Sequence, residues 1–88
     1  MVSGKTASGF EFKIDEGIAD DMEFMELLAD AMDDAVKFPK VIEQLLGKDQ
    51  KKLLYDHIRG DNGRVSIEKA IEEFTEIMNL AGEGLKNS

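Results

Sequence analysis

The chain of 88 residues has no cysteine, one proline, one histidine and one tyrosine, and only 11 basic residues against 19 acidic ones, a formal net charge of -8. Each shortage removes a class of function. Without thiols there are no disulfides and no thiolate-held metal, so a core this small relies on helix packing or self-association for support. An excess of carboxylates repels phosphate backbones and anionic membranes, because binding either needs basic groups that displace counterions. Neither nucleic acid nor membrane is therefore expected as a partner. Long apolar runs are missing as well. The longest are two or three residues, such as Val41-Ile42 and Leu53-Leu54-Tyr55, so neither a membrane span nor a signal peptide is expected, and the default location is the cytosol. What is present is a hydrophobic share of 42 %, close to that of ordinary globular chains and too high for wholesale disorder.

The pattern predicts one domain over 1–88, all-α in class: a compact bundle of three to four helices behind an N-terminal extended arm or single strand. Residues 1–9 are small and polar and read as a mobile arm. Phe10-Glu11-Phe12-Lys13-Ile14 alternates apolar and polar with period two, as a half-buried strand does. No second strand is evident, so this segment either lies extended across the helices or pairs with another chain. The arm occupies 1–14, the helical body 15–82 and a frayed tail 83–88.

Within the body a first helix is expected from Asp20 to Asp34, capped by Asp20 with Glu23 at the capping-box position. Ile18, Met22, Met25, Leu28, Ala29 and Met32 recur at helical spacing, and Phe24, Leu27 and Ala31 form a second stripe beside them. Pro39 suits the first turn of a second helix that buries Val41, Ile42, Leu45 and Leu46 and ends at Gly47. A third helix runs from Asp49 through Arg59 with Leu53, Leu54, His57 and Ile58 inward. Asp61-Asn62-Gly63 marks a turn, and Ser66 caps a fourth helix that buries Ile67, Ala70, Ile71, Phe74, Ile77 and Met78 and stops near Gly82.

Catalytic and metal-binding patterns fail one by one. Asp61-Asn62-Gly63-Arg64-Val65-Ser66 resembles the middle of a calcium loop. With Gly63 as the sixth residue, however, the first position is Ile58 and the twelfth is Lys69, where calcium requires acids. His57 has no second ligand at metal spacing and no nucleophile near it in sequence, so it reads as a packing residue. The neighbours Asp20-Asp21 and Asp33-Asp34 point in different directions on a helix and converge on nothing. Ser66 lacks the Asp-Ser-Leu setting of an acyl carrier, and no glycine-rich phosphate loop exists. The expectation is a protein that is not an enzyme, with no cofactor and no metal.

What survives is the width of the first helix's apolar surface. Met22, Met25 and Met32 lie on it, and methionine adapts to varied partners although it more often fills cores. With the arm, the candidate protein-binding residues are Phe10, Phe12, Ile14, Met22, Phe24, Met25, Leu27 and Met32.

Gly4-Lys5-Thr6-Ala7-Ser8-Gly9-Phe10-Glu11-Phe12, followed by Ile14-Asp15-Glu16 and by Asp20-Asp21 leading into an acidic helix, resembles the small tail assembly chaperones of long-tailed bacteriophages and prophages. So does Leu45-Leu46-Gly47-Lys48-Asp49-Gln50 with Gly63-Arg64-Val65 before a final helix. The resemblance implies a non-catalytic helper in the cytoplasm of the bacterial host, absent from the mature virion. It would bind the tape measure protein, help recruit major tail protein around it, and possess the means to self-associate. The competing expectation is an acidic decoy that mimics nucleic acid to block a host enzyme. That would require a regular double row of carboxylates, which Lys48, Lys51, Lys52, Arg59 and Arg64 interrupt.

Overall fold

Thr6, in the turn that begins the chain's first reversal, is buried, and its hydroxyl oxygen accepts from the Phe10 amide at 3.1 Å. Thr6 N–H donates to the Phe10 carbonyl and Gly9 N–H to the Thr6 carbonyl, both at 2.9 Å, while Gly9 takes φ 97. These contacts, in a computed structural model that describes residues 1–86, close a hairpin. Strand β1 (Val2–Lys5) pairs antiparallel with β2 (Glu11–Ile14) in the register Val2↔Ile14, Ser3↔Lys13, Gly4↔Phe12, Lys5↔Glu11. The N-terminus is therefore half of a two-stranded sheet rather than a mobile arm or a single strand, and the fold is mostly helical without being purely all-α. The second strand lacked an apolar signal because its inward positions are Val2 and a glycine. Gly4 is required there: a Cβ on it would stand 2.8 Å from Cζ of Phe12, whose ring covers the position.

The outer edge of β2 is satisfied by a side chain. Gln50 accepts from Lys13 N–H at 2.7 Å and returns its amide hydrogen to the Lys13 carbonyl at 2.6 Å, imitating a neighbouring strand. The alternation of β2 then places Phe12 and Ile14, with Phe10 just before it, in the core.

A short 3-10 turn (Glu16–Asp20) leads to α1 (Met22–Asp33). Asp21, not Asp20, is the N-cap, and its carboxylate accepts from Glu23 N–H at 2.9 Å and Phe24 N–H at 3.2 Å. That one-residue shift puts Phe24 at the third helical position, so no capping box forms. A second 3-10 turn (Ala35–Lys37), capped by Asp34, precedes α2 (Phe38–Ile58), with Pro39 in the first turn as expected. Gly47 interrupts α2 with φ 82 and ψ 164, separating segments 38–46 and 48–58. The two helices expected on either side of Gly47 are these segments. The loop after α2 holds Asn62 and Gly63, the latter at φ 80. Ser66 Oγ then accepts from Lys69 N–H at 3.3 Å to start α3 (Ile67–Lys86). Helix α3 runs from Ile67 to Lys86, past the expected stop near Gly82, and residues 87–88 of the expected tail lie outside the described residues.

One core unites all elements: Phe10, Phe12 and Ile14 from the hairpin, Phe24 and Ala31 from α1, six residues of α2, and Ala70, Phe74, Ile77 and Ala81 from α3. Phe38 meets Phe74 edge to face at 5.7 Å. Three inward assignments fail, those of Leu53, His57 and Ile67. Leu53 is 61 % exposed because, past the break at Gly47, the burial stripe runs through Leu54 and Ile58, one residue further on. Ile67 is 74 % exposed because it starts α3 at the open end of the packing.

Candidate functional site

Two places in the molecule concentrate chemistry, and they differ in kind. The first joins the hairpin turn to α2 and α3. Glu73 on α3 is 6 % exposed, and its Oε1 accepts hydrogen bonds from the hydroxyls of Ser8 and, at 3.4 Å, Thr6. Ser8 Oγ also lies 3.0 Å from Nε2 of His57, whose ring stands 5.7 Å from that of Phe10. Next to it Glu76 accepts from the Ala7 amide at 2.6 Å. With the Ser8 proton directed at the carboxylate, Nε2 of His57 must donate. The order is thus imidazole to hydroxyl to carboxylate. A nucleophile relay needs the reverse, with the hydroxyl donating to imidazole and the carboxylate on the far ring nitrogen. Here the arrangement ties a loop to α2 across 49 residues of chain and to α3 across 65 or more.

His57 is exposed rather than inward-packed, which corrects its expected place in the core. Its neighbourhood with Ser8 and Glu73 had no signal in the sequence, because two small turn residues carry no periodicity. Oε2 of Glu73 is buried without a hydrogen-bond partner among the described residues. No group of three or more metal-ligating side chains occurs among those residues.

The second place is apolar. Of the eight candidate binding residues, Phe10, Phe12, Ile14 and Phe24 are core residues and unavailable to a partner. Leu27 is half-buried against that core. This is a correction with a simple cause. The hairpin buries its own inward side chains, so the arm has no apolar side left to offer. The methionines divide from them cleanly: Met22 is 73 %, Met25 54 % and Met32 74 % exposed. Of the two stripes on α1, the core takes the one through Phe24, Leu27 and Ala31 together with Leu28 from the other, whose methionines stay in solvent.

Beyond α1 the chain continues through Val36, also exposed, into an apolar groove of about 410 Å³. Phe38, Ile42, Tyr55, Val65 and Ile67 line it with Val36, and sequence patterning does not predict it because its walls come from the Ala35–Lys37 turn, α2, the loop before α3 and the start of α3. Burial, and then the Glu43 carboxylate, raise the Tyr55 phenol above its ordinary 10.0. At neutral pH the groove therefore presents an uncharged hydroxyl. Lys51, paired with Glu43 at 3.7 Å, reaches over the far side of the ring.

No protein-family model, curated protein or solved structure matches this chain. Among the described residues no helix is long and apolar enough to cross a membrane.

Proposed function

We infer that this protein is a tail assembly chaperone of a long-tailed bacteriophage or prophage, a non-catalytic helper that holds the tape measure protein and helps recruit major tail protein. The observation that carries the reading is the exposed methionine stripe of α1, Met22, Met25 and Met32, on a domain whose other large side chains are mostly packed. Exposed methionines at helical spacing cost solvation in the free protein and gain contact only when something covers them. The motif resemblance adds the identity of the client, and the acidic surface keeps the free helper soluble. In this reading it acts in the host cytoplasm and leaves before the virion is complete.

The test is co-expression of the tagged protein with tape measure and major tail proteins. Wild type should retrieve the tape measure protein and keep it in the supernatant. Met22→Ser, Met25→Ser and Met32→Ser together should lose it while the melting curve stays near wild type, since all three side chains are already in water. A tape measure protein that is equally soluble alone, or retrieval undiminished by the triple variant, would refute the reading.

A further inference from the structure

Successive residues of an α-helix turn by about 100°, which sorts the surface of α1 into three strips. Phe24, Leu27, Leu28 and Ala31 form the strip against the core. Met22, Met25, Ala29 and Met32 form an exposed apolar strip on one side of it. Glu23, Glu26, Asp30 and Asp33 form an exposed acidic strip on the other side, beyond the methionines. The charge on this helix is of one sign only. Residues 14–36 contain nine acidic residues and no basic one, while all 11 basic residues lie elsewhere. The ion pairs formed among the described residues are Met1 with Glu16, Lys51 with Glu43, and Arg59 with Asp56, so among those residues none of the four strip carboxylates has a cation within 4.0 Å.

An apolar strip flanked by unpaired carboxylates has a definite complement. We propose that α1 receives a basic amphipathic helix, whose apolar stripe covers Met22, Met25 and Met32 and whose lysines or arginines lie on the one flank that faces Glu23, Glu26, Asp30 and Asp33. This rests on the reading of the protein as a helper with a client, and it names the chemistry of the client segment. Apolar burial holds the two helices together and the charges set orientation, because a partner turned end for end or rolled over presents its cations to the core side. An acidic helix is repelled by the same surface, and a neutral one binds without the charge pairing that fixes orientation. A second copy of α1 laid antiparallel is repelled too, since it opposes carboxylate to carboxylate, and a parallel copy supplies no cations to pair with them.

The experiment uses the full chain and a synthetic peptide helix with leucines at i, i+3, i+4 and i+7 and lysines along one flank, followed by fluorescence anisotropy. The peptide with glutamates in place of the lysines, and a scrambled peptide of the same composition, should each bind at least about tenfold more weakly, which is about 1.4 kcal/mol. The variant Glu23→Gln, Glu26→Gln, Asp30→Asn, Asp33→Asn should weaken the lysine peptide by roughly tenfold and flatten its salt dependence. Neutralising Asp49, Asp61, Glu68 and Glu72 instead should change it by less than twofold. Equal weakening by the two quadruple variants, or equal binding of the scrambled peptide, would show an unspecific acidic surface and overturn the proposal. Retrieval of the tape measure protein by each variant separates the two levels. If wild type and the strip variant retrieve it equally well, the helper reading stands and the basic helix falls. If the peptide results hold but no tape measure protein is retrieved, the docking strip stands and the phage role falls.

Discussion

Phe12→Ala asks whether the N-terminal hairpin belongs to the cooperative fold or merely rests on it. The ring is 2 % exposed, covers Gly4 on the partner strand and joins a core shared with α1, α2 and α3. Truncating a buried phenylalanine costs about 3–5 kcal/mol, from lost transfer energy and the cavity left behind. A domain of this size has a total of about 5–15 kcal/mol and belongs near the lower end of that range. With a urea slope of about 1 kcal/mol/M, a loss of about 3 kcal/mol moves the midpoint down by about 3 M. Urea titration followed by circular dichroism at 222 nm reads the helices, and the fluorescence of Tyr55 reads the side-chain packing of α2. Both probes should shift together. Met25→Ala, a change at an exposed site, should stay within about 0.5 kcal/mol. If Phe12→Ala leaves the helical transition where it is, and only amide exchange in residues 2–14 accelerates, the hairpin is an appendage and the shared core is wrongly drawn.

Gly47→Ala should cost about 1–3 kcal/mol through backbone strain alone, since φ 82 with ψ 164 is a glycine conformation and nothing lies within 4 Å of an added Cβ; an unchanged urea midpoint would mean that α2 straightens without penalty. Ser8→Ala should cost about 1–3 kcal/mol, because it takes a donor from the buried Glu73 carboxylate, whereas a loss below about 0.5 kcal/mol would reduce the polar cluster to a surface contact. The Tyr55 phenol is raised in the folded state, so the stability tied to it is fully present below pH 10 and is lost as pH climbs through the folded value. Melting temperatures between pH 9 and 11 should therefore fall less steeply for Tyr55→Phe than for wild type, and parallel slopes would refute the burial argument. Ile67→Glu, exposed at the rim of the apolar groove, should leave the melt near wild type; if the groove contributes to client capture, retrieval should drop, and undiminished retrieval would confine binding to α1.

The helices were legible where apolar spacing was unambiguous. Val41, Ile42, Leu45 and Leu46 before Gly47, and Ala70, Phe74 and Ile77 after the Ser66 cap, take the places their spacing assigns. The first strand was illegible because half of its inward pair is Gly4. Period-two reasoning counts side chains, and a position filled from across the sheet by Phe12 has none to count. Its partner edge was equally hidden, since a glutamine that stands in for a strand leaves no trace in a pattern of apolar residues. Leu53 and His57 were misplaced for a different reason. The segment after Gly47 is short, and two adjacent apolar stripes fit its sequence equally well until packing against α3 selects Leu54 and Ile58.

The same ambiguity on α1 has the greater functional consequence. Two stripes, one through Met25 and Met32 and one through Phe24 and Ala31, lie side by side, and spacing alone cannot say which faces inward. Side-chain chemistry breaks the tie. Burying Phe24 removes a large rigid ring from water and adds it to the core that also holds Phe10, Phe12 and Ile14. Burying the methionines instead would sacrifice that burial and fix three flexible side chains, each with a rotamer entropy of up to about 2 kcal/mol to lose. Packing against α2 and the shared core thus sets the orientation of α1, and by taking the aromatic stripe it leaves the methionine stripe outside. An arm that joined the binding surface would compete with this arrangement: withdrawing Phe12 to meet a client would uncover the core that holds α1 in place. The geometry assigns the two tasks to different elements, with the hairpin inside as an anchor and the methionine and carboxylate strips of α1 outside as the surface a client can reach.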